Sequence, residues 1–221
     1  GEVIDSPASI VKELIENSLD AHATAITIDI KDGGKKCIHI TDNGNGFHHE
    51  DLPLAPLRHA TSKIRSLDDV YETESFGFRG EALASICHCA HLTITSKQEN
   101  ESAYTITAYK DDISAVKKTS HPKGSSIIIN DLFHDLPVRQ RFLKSTATEL
   151  SYIVDYCIQF SLSNPHVSFV LLSDGQEKLN TTGITDLFQL MILDLQILLL
   201  QHSQCHLMQS QLPLVVPLGK T

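Results

Sequence analysis

Glu13 and Asn17 stand one helical turn apart and offer a base and a hard metal ligand. A carboxylate activates a water only from beside the bond to be broken. An amide oxygen suits magnesium, which prefers oxygen and keeps several waters. Alone, the pair equally fits two exposed polar residues of an amphipathic helix. Asp42, followed by Gly44 and Gly46, closes a strand. A buried acceptor carboxylate there can take the exocyclic amine of adenine and reject bases lacking that donor. Glycines beside it let backbone pass close to a ligand, although Asp-Asn-Gly is also a common turn.

Gly77-Phe78-Arg79-Gly80 runs into Glu81-Ala82-Leu83, which opens a helix. Glycine-rich backbone at a helix start turns free N–H groups and the positive dipole end toward phosphates. Thr61, Ser62 and Lys63 supply hydroxyls and an ammonium that could close over a triphosphate. Gly124-Ser125-Ser126 begins a strand from which the Ser125 hydroxyl can reach a base beside Asp42.

Certain elements must position these groups. Ser6 caps a helix with Pro7 at its first position, and Ile10, Val11, Leu14, Ile15 and Leu19 recur at helical spacing. That helix places Glu13, Asn17 and Asp20 on a second stripe. Ile26, Ile28 and Ile30 alternate with polar residues, as do Ile38 and Ile40, with Asp32-Gly33-Gly34 between, which predicts a hairpin. Residues 91–96, 104–110, 125–130 and 167–172 read as further strands, and 137–160 as mostly helical, in one piece or two.

The four elements, in this order, resemble the GHKL superfamily of ATPases, which includes gyrase, a chaperone class, histidine kinases and MutL. The match to the MutL mismatch-repair family is closer. It is carried by Gly1-Glu2-Val3, Pro7-Ala8-Ser9, Lys12-Glu13-Leu14, Glu16-Asn17-Ser18-Leu19-Asp20-Ala21, Asp42-Asn43-Gly44, His59-Ala60-Thr61-Ser62-Lys63, residues 77–85 and Asp131-Leu132-Phe133. The resemblance covers roughly residues 1–180 and implies an α+β fold of the GHKL (Bergerat) type, a two-layer sandwich with helices on one face of a mixed sheet. It implies ATP and Mg2+ as ligands. Glu13 would be the general base, Asn17 the magnesium ligand, and Asp42 the adenine reader, supported by Gly44, Gly46 and Ser125. Thr61, Ser62 and Lys63 would belong to a lid, and Gly77, Phe78, Arg79, Gly80, Glu81, Ala82 and Leu83 would wrap the phosphates. The implied function is a nucleotide-gated dimerisation switch in DNA mismatch repair. Its partners would be an identical or paralogous MutL subunit, a MutS-type mismatch-recognition protein and DNA, the last held weakly and mainly by regions outside this chain. Two alternatives stand beside this reading: a nucleotide-gated binding module with negligible turnover, and another GHKL ATPase.

The sequence departs from the family at Asp135-Leu136-Pro137-Val138-Arg139, where Asn-x-Pro-Ala-Arg is usual, and at Ser125, where threonine is usual. The family's first segment and its following domain, which brings a lysine to the γ-phosphate, are not recognisable. Weak nucleotide binding and poor hydrolysis are therefore expected.

Composition bounds the rest. The 221 residues suggest one large domain, or one with part of another. With 41% apolar and 20% charged residues a disordered chain is excluded. A formal charge of −9 gives no overall basic field for nucleic acid. Five cysteines, an odd number, point to a reducing compartment. The start at Gly1 with no leader predicts a missing N-terminal segment and an intracellular protein, in the cytoplasm or nucleoid of a bacterium or the nucleus of a eukaryote. No membrane partner is expected, because the apolar run at 187–200 falls short of the about 20 residues a span needs. Residues 181–221 are set apart as a Leu-rich segment of almost no charge: either core or interface awaiting its partner, or a non-native continuation. Cys87-His88-Cys89 with His91 reads as buried structure rather than a zinc site, His48-His49 as solvated, and Leu218-Gly219-Lys220-Thr221 as a false Walker motif. Arg139, Arg141 and Lys144 form a small, mostly solvated basic patch.

Overall fold

A computed structural model of the chain describes residues 4–57, 82–184, 189–192 and 195–197. Helix α1, Pro7–Asp20, starts where the sequence places it. Ser6 and Ser9 cap each other reciprocally, backbone N–H to hydroxyl at 3.2 Å in both directions. The helix stops at Ala21, and the next residue, His22, takes a left-handed φ of 60°. Its buried face carries Ile10, Val11, Leu14, Ile15 and also Ser18.

Strands β1 (Ala25–Lys31) and β2 (Cys37–Asp42) form the expected antiparallel hairpin. Helix α2, Ala82–Cys87, feeds β3 (His91–Lys97), which pairs with β4 (Ala103–Tyr109). Two short strands, β5 (Asp112–Ile113) and β6 (Lys117–Thr119), both pair with β4. Then come β7 (Gly124–Asn130), α3 (Pro137–Phe142), α4 (Thr146–Ser163), β8 (Ser168–Ser173) and β9 (Gln176–Asn180). The helical stretch is thus two pieces.

The described strands make one sheet ordered β5-β4-β3-β7-β2-β1-β8-β9, with β6 beside β4. It is mixed: β1 and β8 run parallel and every other pair is antiparallel. Register turns the alternating pattern into rows across the sheet. Leu171, Ile28, Ile40, Ile127, Ile94 and Ile106 stand side by side on the face that packs against α1 and α4. Burying each such side chain stabilises the fold by about 1.5–3 kcal/mol relative to leaving it in water. The opposite face carries Thr27, Asp29, Thr93 and Thr105 and stays partly exposed. One face packed and one wet is the two-layer arrangement that the alternation predicts.

Of the Leu-rich segment, Leu190 is buried and Ile197 packs against the core, whereas Met191, Ile192 and Leu195 are exposed. Among the described residues no helix is long and apolar enough to cross a membrane.

Candidate functional site

The next row on the packed face is different. Moving one pair along the strands from the isoleucines reaches Phe169 and Ile26, then Asp42, Ser125 and Ser96. A polar group at an inward-facing strand position must find partners or destabilise the core. These do. The Asp42 carboxylate is 8% exposed. It accepts the Gly44 N–H at 2.8 Å on one oxygen and the Ser18 hydroxyl, from α1, at 3.3 Å on the other. Burial pushes the Asp42 carboxyl above the ordinary aspartate range, and the bonds from Gly44, Ser18 and the Ser125 backbone only partly counter this. A carboxylate offers about four acceptor positions. The hydrogen bonds from Gly44 and Ser18 leave acceptor capacity for a donor from a ligand.

Ser96 and Ser125 complete the row. The Ser96 oxygen accepts the Phe47 N–H at 2.8 Å and lies 3.2 Å from the Ser125 oxygen and 3.0 Å from the Gly124 carbonyl, to which it donates. The turn after β2 is thereby tied to β3 and β7. Both glycines of that turn are sterically required. A Cβ on Gly44 would lie 2.7 Å from the Ala21 carbonyl oxygen at the end of α1. Gly46 has a φ of +74°, and its Cβ would sit 2.6 Å from the Lys97 carbonyl oxygen. Asn43 acts on the other side of the turn. Its side-chain oxygen accepts the Thr24 and Ala25 N–H groups at 2.8 and 2.9 Å and fixes the entry to β1.

The sequence-derived set therefore divides. Asp42, Gly44, Gly46 and Ser125 come together at one end of the packed face. Glu13 and Asn17 lie on α1, half-buried, on the stripe beside the buried Leu14–Ser18 row that meets Asp42. Ala82 and Leu83 begin α2, which packs against α1 and buries Leu83. Thr61, Ser62, Lys63, Gly77, Phe78, Arg79, Gly80 and Glu81 lie outside the described residues.

Sequence reasoning gave no role to Ser18 and Ser96. Ser96 had a legible signal, since the alternation that turns Leu92 and Ile94 inward also turns in Ser96. Ser18 lies one turn beyond Leu14 on the apolar stripe, where its hydroxyl also donates to the Leu14 carbonyl at 2.9 Å.

Away from this row, Cys87 and Cys89 are buried, and burial pushes the Cys89 thiol up to about 11. His88 pairs with the Ala84 carbonyl at 2.7 Å, and His91 stacks on Tyr109 and His134. Asp135, the departure in the Asp-Leu-Pro segment, pairs with Lys110 and accepts the Tyr109 hydroxyl, and these hold its carboxyl down at about 2. His48 is half-buried rather than freely solvated, and lies beside Glu101.

A sandwich with a buried acid at the end of β2, capped by the C-terminal end of its first helix, defines a class. The chain belongs to the histidine kinase-, DNA gyrase B- and HSP90-like ATPase family, whose pattern matches residues 5–139. Within that family it is of the MutL type. It is 45% identical over 190 residues to the DNA mismatch repair protein MutL of Streptococcus equi subsp. zooepidemicus strain H70, covering 86% of this chain. MutL of Streptococcus pyogenes serotype M5 is 44% identical over the same length. The chain spans 29% of the length of each of these relatives. Among solved structures, the Aquifex aeolicus MutL ATPase domain complexed with ADP superposes with a TM-score of 0.71 at 32% identity, over 88% of this chain and 70% of that one. The N-terminal domain of a DNA repair protein gives a TM-score of 0.73 at 28% identity, over 87% and 57%. The GHKL fold and the mixed sheet expected from the sequence are those observed.

Proposed function

We propose that the polar row around Asp42 is the adenine end of an ATP site, and that the chain hydrolyses ATP with magnesium at a low rate. One observation carries this reading: a nearly buried carboxylate with acceptor capacity to spare, at the end of an otherwise apolar face. Such a group accepts the adenine amine and penalises a base that offers no donor there, because the acid would then stay unpaired. The ADP complex of the Aquifex MutL domain supports the same reading by likeness.

In this scheme Ser125 supports the base through its hydroxyl, and Gly44 and Gly46 let the turn approach it. Glu13 takes a proton from the attacking water. Asn17 supplies a hard oxygen of the kind magnesium accepts, and one protein ligand suffices because that ion keeps several waters. Bound magnesium would neutralise charge on the triphosphate. Gly77 to Leu83 would supply N–H groups to the phosphates, and Thr61, Ser62 and Lys63 hydroxyls and an ammonium. ATP acts as a switch because it favours a closed, paired state over the open one. The partner subunit is a second copy or a paralogue, and the whole protein works in mismatch repair with a MutS-type partner and DNA.

Glu13→Ala tests the enzymatic part. Turnover is expected to fall at least about 100-fold, with binding of a non-hydrolysable ATP analogue retained. Turnover unchanged by that substitution removes Glu13 as the base, whereas negligible turnover by the wild type itself would leave a nucleotide-gated binding module.

A further inference from the structure

One cluster of side chains lies outside the nucleotide site and takes no part in it. We propose that His48, His49 and Glu101 form a surface site for a borderline divalent transition ion such as Zn2+. One ligand atom from each, an imidazole nitrogen or a carboxylate oxygen, lies within 4.8 Å of the others. It is the only such group among the described residues.

Several features suit the group to an ion. The His48 Nε2 is 3.8 Å from a Glu101 carboxylate oxygen, and the two side chains are 37% and 34% exposed. An ion can therefore enter from solvent past the exposed His49, while His48 and Glu101 are partly covered. The other ring nitrogen of His48, Nδ1, lies 4.0 Å from a Glu50 carboxylate oxygen. In the structure Nδ1 accepts the Glu50 backbone N–H at 3.4 Å. Metal binding at Nε2 would put a proton on Nδ1, and the nearby Glu50 carboxylate is the acceptor such an N–H usually takes. The His49 ring stacks on Tyr104 with centroids 5.3 Å apart, and the His48 and His49 rings are 4.4 Å apart. His49 is thus held beside its neighbour rather than free to swing away.

The backbone supporting the ligands is well tied. The turn carrying both histidines is fixed by the Phe47 N–H bond to Ser96. Glu101 follows Asn100, whose φ is 61°, in the β3–β4 turn, and its N–H bonds the Gln98 carbonyl at 3.3 Å. Tetrahedral coordination at zinc distances puts donors about 3.4 Å apart. The ligand atoms here lie within 4.8 Å of one another, so binding draws them together by up to about 1.4 Å. Two imidazoles and one carboxylate select zinc, nickel, copper or cobalt over magnesium. The ion would pin the turn that follows Asp42 to the β3–β4 turn.

The test is Zn2+ titration of the whole chain by calorimetry with excess Mg2+ present, together with Cu2+ broadening of backbone amide signals. Expected are one Zn2+ bound through this cluster, and broadening confined to residues near 46–51 and 98–102. Glu101→Gln should weaken zinc by at least about tenfold, and His48→Ala/His49→Ala should abolish this binding with the metal-free melting temperature little changed. No zinc binding by the wild type, zinc binding unaltered in the double variant, or broadening centred elsewhere would each overturn the proposal. None of these outcomes bears on ATP.

Discussion

Replacing Ser96 with alanine removes one hydroxyl and three contacts. Ser96 is 2% exposed, so water does not replace what is lost. The Phe47 N–H, bonded at 2.8 Å, loses its acceptor, and the Gly124 carbonyl and Ser125 hydroxyl lose a neighbour at 3.0 and 3.2 Å. Leaving one buried donor unsatisfied costs about 1–3 kcal/mol. For a chain of this size each kcal/mol lowers the melting temperature by roughly 2–4 °C. Ser96→Ala is therefore expected to melt about 2–12 °C below wild type, followed by circular dichroism. Thr27→Ala, on the solvent face of the sheet, serves as the control and should stay within about 0.5 kcal/mol of wild type. The turn at Gly46-Phe47 also loses its tie to β3, so binding of a non-hydrolysable ATP analogue should weaken with it. A Ser96→Ala melting temperature equal to that of Thr27→Ala would show that the polar row does not hold the turn, and the reasoning would fail.

Two further perturbations probe the same region. Gly46→Ala combines a left-handed φ of +74° with a Cβ only 2.6 Å from the Lys97 carbonyl oxygen. The conformational part alone costs about 1–2 kcal/mol, so a melting temperature at or above wild type would contradict it. Asp42→Asn should change the pH dependence of stability. Burial raises the Asp42 carboxyl in the folded state, so its contribution to stability is full below the unfolded value of about 3.9 and is lost as pH rises through the folded value. Asparagine does not titrate. Melting curves from acid to neutral pH should therefore shift in favour of the variant as pH rises, and a difference that is flat or moves the other way would refute the burial argument.

The hairpin, α1 and the rows of isoleucine were legible because their apolar residues repeat at the periods that helices and strands demand. Asp42 was legible as a candidate because an acid directly after an alternating strand, followed by two glycines, has few uses. Three strands were not foreseen. β5, β6 and β9 are short, edge-lying and rich in charge, as in Lys117-Lys118 and Gln176-Glu177-Lys178, so they carry no apolar pattern to read. Nor was Ser18 foreseen, because a serine on an apolar stripe shows its meaning only once the sheet brings Asp42 beneath it. The His48–Glu101 approach joins residues 53 positions apart. It depends on how one turn folds back on another, which local pattern does not encode.

Recognition of adenine by Asp42 is the central claim, and a binding titration tests it most directly. Wild type and Asp42→Asn would each be titrated with non-hydrolysable analogues of ATP and GTP in magnesium. A hydrogen bond to a charged acceptor contributes about 1.5–3 kcal/mol, so the variant should lose roughly 10- to 150-fold in ATP-analogue affinity. Wild type should prefer the adenine analogue, and the variant should lose that preference. Equal affinity of both proteins for the ATP analogue, with base preference unchanged, would contradict the assignment of Asp42 and with it the proposed site.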